Sequence, residues 1–217
     1  MKVLIIAAHP DDEVLGMGAT IKKLSKKKHE IHLCVVTDGA SAQYQDKKMI
    51  KIRKDACVKA GKILGITKFT FLEFPDAKLD TISQLDINKK LEIIIKKNKP
   101  EIVYTTPYHD LMKDHQKVNE STLVATRPTS SSVKKILCYE IPGITKNPFK
   151  PNIYEKIDKE FEFKKKAFQI YKSEIMKFPH PRSIKAIENL AVYRGIQSGL
   201  EKAEAFELIM HISDNWN

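Results

Sequence analysis

Five consecutive residues, His9-Pro10-Asp11-Asp12-Glu13, place one imidazole and three carboxylates directly after the apolar run Val3-Leu4-Ile5-Ile6-Ala7-Ala8. A neutral imidazole and a carboxylate are usual ligands of a catalytic zinc, and a spare carboxylate can move a proton. A second group of the same types, His109-Asp110-Leu111-Met112-Lys113-Asp114-His115, follows another apolar run. A helix start explains one or two of the first group's acids, which suit its positive end, and Pro10 suits an early helix position. It leaves His9 without a role. His9, Asp12 and His115 together make a two-imidazole, one-carboxylate set, which suits zinc with a fourth position open for water. The metal would lower the pKa of that water toward neutrality. Asp11, adjacent but not ligating, could take the water's proton. Spacing alone leaves Asp11, Asp110 and Asp114 as rivals for the Asp12 role.

The elements that must position these groups alternate along the chain. Apolar, β-branched runs predict strands over 2–8, 31–37, 69–74, 102–106 and 135–141. Such runs suit strands covered on both faces. Amphipathic stretches between them predict helices over 14–28, 47–64, 83–98 and 116–126, the second stopping at Gly65. This alternation predicts an α/β fold, a Rossmann-like, doubly wound and mostly parallel sheet of five or more strands. Sites in such sheets form at the carboxyl ends of strands, where both His/Asp groups fall. After Ile141 the pattern changes to prolines and then helical stretches over 155–175, 182–198 and 202–212. With no linker-like stretch between them, residues 1–217 read as one domain, an α/β core over 1–141 with a helical C-terminal cap over 142–217.

The composition narrows the function classes. Of 217 residues, 42% are hydrophobic, enough for one core, and 30% are charged. Cys34, Cys57 and Cys138 are an odd number without CxxC spacing, which suits buried thiols in a reducing compartment. No stretch has the length of a membrane span and no leader is evident, so the expected location is the cytoplasm. The net charge of +11 comes mostly from dispersed lysine, with arginine scarce and no basic stretch interleaved with aromatics. That pattern argues for a solvated surface and against nucleic-acid binding, while favouring anionic small molecules. Gly16-Met17-Gly18 lacks the full dinucleotide-loop spacing and follows acids that would repel a pyrophosphate. Tyr44, Tyr108 and Trp216 read as packing or rim residues.

Ala8-His9-Pro10-Asp11-Asp12-Glu13 and Asp114-His115 resemble the two signatures of the zinc-dependent de-N-acetylases of the LmbE-like, or PIG-L, family. The resemblance runs through Val36-Thr37-Asp38-Gly39, Leu64-Gly65-Ile66, Phe74-Pro75-Asp76 and Ala125-Thr126-Arg127-Pro128. It continues in Pro179-His180-Pro181-Arg182 and Ala203-Glu204-Ala205-Phe206. It implies zinc on His9, Asp12 and His115, Asp11 as base, and hydrolysis of an N-acetyl group on an amino sugar such as N-acetylglucosamine. It also implies a Rossmann-like fold and a possible homo-oligomer. Arg53 and Asp76 look like positions near the sugar, and Arg127 and Arg182 are further substrate-side candidates. Asp114 is expected to orient a catalytic histidine or a ligand.

One position departs from the family pattern. Many members carry a histidine three residues before the last ligand, where it stabilises the oxyanion or protonates the leaving amine. Here that residue is Met112, which can do neither, so His109, His180, Arg182 and Arg127 are the candidate donors. A silent metal- or sugar-binding protein and a metal hydrolase of another substrate class are the rival readings.

Overall fold

A computed structural model describes residues 1–213 apart from Gln45, Lys47 and Ile144. The start of the helix expected from Lys47 and the Trp216 reading lie outside the described residues. Five strands, β1 (Lys2–Ala7), β2 (Glu30–Thr37), β3 (Lys68–Phe74), β4 (Ile102–Thr105) and β5 (Lys135–Tyr139), run parallel. Between them come helices α1 (Asp12–Lys26), α2 (Lys48–Leu64), α3 (Gln84–Asn98) and α4 (Lys113–Ala125). The fold is α/β, and its sheet has the order β3-β2-β1-β4-β5-β7-β6.

Alternate residues of β1 feed two cores. Val3, Ile5 and Ala7 pack with α1, α2 and the later helices, whereas Leu4 and Ile6 pack with α3 and α4. That period of two on a sheet covered on both faces explains why β1 is apolar throughout. The strand order reverses between β1 and β4, so their carboxyl ends flank the crevice where doubly wound sheets bind ligands. His9 leaves β1 there, and His115 lies in the first turn of α4, the helix that follows β4.

The purely helical C-terminal cap is corrected. Residues 142–217 supply β6 (Ile153–Lys156) and β7 (Ala203–His211), along with α5 (Phe161–Phe168) and α6 (Ile184–Ser198). β7 pairs antiparallel with both β5 and β6. Ala, Glu, Leu and Met give 202–212 good helix propensity, but pairing on two sides overrides a preference of tenths of a kcal/mol per residue. Glu204 shows what the strand achieves. It is buried, pairs with Lys164 at 2.7 Å, and accepts from the backbone N–H groups of Ala19 and Thr20 at 3.1 and 2.7 Å. Those amides are freed because α1 is interrupted at Met17 (φ −147°). Gly16, beside that break, lets Tyr139 approach where a Cβ would meet its ring at 2.3 Å. The Gly-Met-Gly run is thus a packing feature.

Candidate metal centre and catalytic base

The loop after β1 is held from both sides. Thr37 bonds the carbonyl of Ala8 through its backbone N–H (2.9 Å) and its hydroxyl (2.8 Å). Asp12 Oδ2 accepts from the His9 N–H at 2.8 Å, which turns its carboxylate back toward the imidazole. Asp11 has φ 131°, a strained value for a residue with a side chain, and its carbonyl opens α1 by accepting from Val14 and Leu15. Gly39 (φ 63°) crosses against Pro10, where an added Cβ would lie 2.2 Å from the proline ring.

Three inward-facing side chains form a triangle, in which His9 and His115 approach different oxygens of Asp12. His9 Nδ1 lies 3.2 Å from His115 Nε2 and 3.6 Å from Asp12 Oδ2, and His115 Nε2 lies 3.4 Å from Asp12 Oδ1. All three residues are buried. A tetrahedral ion with bonds of about 2.0–2.2 Å sets its ligand atoms about 3.3–3.6 Å apart, which is the size of this triangle. The outer nitrogens explain why these atoms face inward. His9 Nε2 sits 3.1 Å from both Asp114 Oδ2 and Asp76 Oδ1, and His115 Nδ1 sits 2.8 Å from Asp110 Oδ2. Each outer nitrogen faces a carboxylate, an arrangement that would orient the inner nitrogens toward a metal, as around metal-bound histidines. Burial lowers the pKa of His115, but Asp12 and Asp110 outweigh it and hold it up at about 9. For His9, burial is likewise outweighed by Asp114, Asp12 and Asp76. The carboxylates around the two imidazoles favour positive charge there, which a metal ion could supply.

His9, Asp76 and Asp114 form a second possible set. It would use the outer nitrogen of the same imidazole, and Asp114 is already committed to the N–H groups of Ala77 (2.8 Å) and Leu79 (3.0 Å). The inner triangle is the better metal site. Among the rival carboxylates, Asp110 and Asp114 brace the two imidazoles and Asp12 faces the triangle.

Asp11 contributes no atom to the triangle. Among the described residues its two carboxylate oxygens are buried without a hydrogen-bond partner. Arg53 Nη2 stands 3.5 Å and Arg182 Nη2 3.7 Å from Oδ2. Burial pushes the Asp11 carboxyl up, Arg182 and Arg53 pull it down, and the balance is about 6. A base poised near neutrality suits proton transfer. Behind it, Glu13 accepts from the Asp11 N–H at 3.2 Å and from the Tyr171 hydroxyl at 2.6 Å, and burial raises its carboxyl to about 8.

The expected substrate-side residues lie in different surroundings. Arg53 is 3% exposed and spends its guanidinium on the carbonyls of Gly39 and Pro10, so it braces the loop. Asp76 is buried, with Oδ1 3.1 Å from His9 Nε2. Arg127 is exposed just beyond the end of α4, opposite the His115 end, and its partner there is Glu92 at 3.5 Å. His180, expected to be catalytic, is exposed and accepts from the Arg182 N–H at 3.0 Å. His109 is exposed against Tyr108. Met112 is 40% exposed at the start of α4, its N–H donated to Asp110. Arg182 alone of the four donor candidates comes near Asp11, with its side chain 23% exposed. Sequence reasoning missed Glu174, buried and 2.7 Å from Arg182 Nη1, because its neighbours Ser173 and Ile175 carry no signal for chemistry.

The family model described as PIG-L, GlcNAc-PI de-N-acetylase, matches residues 4–126. An Escherichia coli K12 protein named uncharacterized deacetylase YaiS is 35% identical over 79% of this chain and 90% of its own. The chain belongs to the PIG-L family. A diacetylchitobiose deacetylase from Thermococcus kodakarensis is 26% identical over 96% of this chain and 83% of its own. Among solved structures, the N,N'-diacetylchitobiose deacetylase of Pyrococcus horikoshii matches 98% of this chain and 86% of its own, with a TM-score of 0.80 and 24% identity. GalB, the 4-carboxy-2-hydroxymuconate hydratase of Pseudomonas putida KT2440, shares the fold at a TM-score of 0.82 and 17% identity, over 100% of this chain and 99% of its own. The fold therefore accommodates more than one reaction, and the chemistry must be argued from the site.

Proposed function

We propose that this PIG-L protein is a zinc-dependent N-deacetylase. It would act on an N-acetylglucosamine-like amino sugar and release acetate and a free amine. One observation carries the reading: a metal-sized triangle of His9, Asp12 and His115 adjoins Asp11, whose buried carboxylate has no hydrogen bond among the described residues. Zinc held by those three side chains supplies a Lewis acid that acidifies water and polarises a carbonyl. Asp11 accepts the proton of the water that attacks the acetamide carbon and returns it to the departing nitrogen. Arg182, held through Nη1, keeps Nη2 for the developing oxyanion in place of the histidine absent at Met112. Deacetylase relatives that act on acetylated sugars support this substrate class. The dispersed positive charge favours a sugar that also carries an anionic group. The buried free thiols of Cys34, Cys57 and Cys138 suit a cytoplasmic setting.

Acetate release from a panel of N-acetyl amino sugars, before and after chelation and zinc repletion, tests the proposal. Release that is abolished by chelator and restored by zinc is expected. Stoichiometric metal with no release from any N-acetyl sugar would point to a binding protein or to other chemistry.

A further inference from the structure

Two guanidinium groups flank the Asp11 carboxylate, yet neither bonds to it. An arginine beside a carboxylate ordinarily closes to about 2.7–2.9 Å, commonly with two parallel N–H···O contacts. Here the approaches stop at 3.5 Å for Arg53 and 3.7 Å for Arg182. Arg53 is held back by the carbonyls of Pro10 and Gly39. Arg182 belongs to the segment after α5, whose path is tied by the Met176 N–H bonding the Arg182 carbonyl at 3.2 Å. Its guanidinium is held by one strong contact, Nη1 to Glu174 Oε2 at 2.7 Å. Glu174 is itself buried and fixed, with Oε1 accepting from the Ser173 hydroxyl at 2.9 Å and lying 3.5 Å from Arg53 Nε.

We propose that Glu174 is a positioning residue that holds the Arg182 guanidinium on itself and so keeps it out of hydrogen-bond contact with the Asp11 carboxylate. Glu174 touches no reacting atom and acts through Arg182. It lies outside the residues matched to the family model. The inference rests on the reading of Asp11 as the base.

The test combines a structure with a mutant cycle. In a crystal structure of zinc-loaded Glu174→Gln, the Arg182 guanidinium should lie within about 3.0 Å of the Asp11 carboxylate. Turnover of an N-acetyl amino sugar should fall about 100-fold, with KM changed less than about threefold, as for loss of a general base. In an Arg182→Gln background the same Glu174→Gln change should cost less than about threefold, because its route of action is gone. Glu174→Asp, which keeps a carboxylate, should recover part of the turnover and serves if the glutamine variant folds poorly. A guanidinium that stays beyond 3.5 Å from Asp11, or equal costs in both backgrounds, overturns the proposal. A wild-type protein without acetate release would instead defeat the deacetylase reading, while the crystal structure would still decide where Arg182 goes.

Discussion

The two halves of the site are built on opposite plans. On the metal side each histidine is held by carboxylates: Asp76 and Asp114 on His9, Asp110 on His115. On the proposed base side the central group, Asp11, sits on a strained backbone, its oxygens without a hydrogen bond among the described residues, and Arg182 bonds Glu174 instead. The difference matches two physical tasks. A metal ligand must present one atom in one direction, and surrounding hydrogen bonds supply that rigidity. A base must change protonation during a reaction, and every hydrogen bond to its charged form would oppose the change. The metal side comes wholly from residues 9–115, whereas Tyr171, Glu174 and Arg182 on the base side arrive from beyond α4.

Changes on either side should separate these tasks. The largest effect is expected for Asp11→Asn, which should lose about 1,000-fold in turnover while keeping its metal. Metal content and single-turnover rates on the same sample check this, and near wild-type turnover would remove Asp11 as base. Next, Asp110→Asn should weaken metal binding about 10- to 100-fold, with activity recovered by added zinc. Competition with a chromophoric chelator measures it, and unchanged affinity would mean that His115 needs no brace. Tyr171→Phe removes a buried donor to Glu13 and should cost about 1–3 kcal/mol of stability in urea melts. Metal affinity should hardly change, since this support serves the base side.

The smallest expected effect lies outside both halves. His32 is buried beside Thr70, and burial with Lys68 nearby lowers its pKa to about 4. The folded state therefore resists protonation of His32 relative to an ordinary histidine near 6.5. Its contribution to stability is full above pH 6.5 and declines as pH falls toward 4. The wild-type protein should lose more stability than His32→Gln over that interval, and equal losses would show that His32 does not titrate differently on folding.

The sequence by itself determined which residues are candidates for the proposed metal side. His9, Asp12 and His115 are residue types with few other uses when placed at the ends of buried strands, and buried parallel strands announce themselves as unbroken apolar runs. The alternation that yields β1 to β5 and α1 to α4 is a local signal of the same kind. The spacing also left Asp11 beside the ligands, with no partner assigned in the chain. What only the tertiary structure decided is which oxygen meets which nitrogen. Asp110 and Asp114 are equally plausible ligands in the sequence, and they become braces because the imidazoles turn their outer nitrogens toward them. Arg53 looks like a substrate contact until the folded loop gives it two carbonyls. Glu174 has no local signature, since its effect depends on an arginine eight residues later and an aspartate at the other end of the chain. Residues 203–211 carry helix propensity and become a strand because β5 and β6 offer pairing on both sides. Tertiary pairing and burial outweigh local preference there, and the same long-range contacts turn the opening His-Pro-Asp-Asp-Glu from a motif into a site.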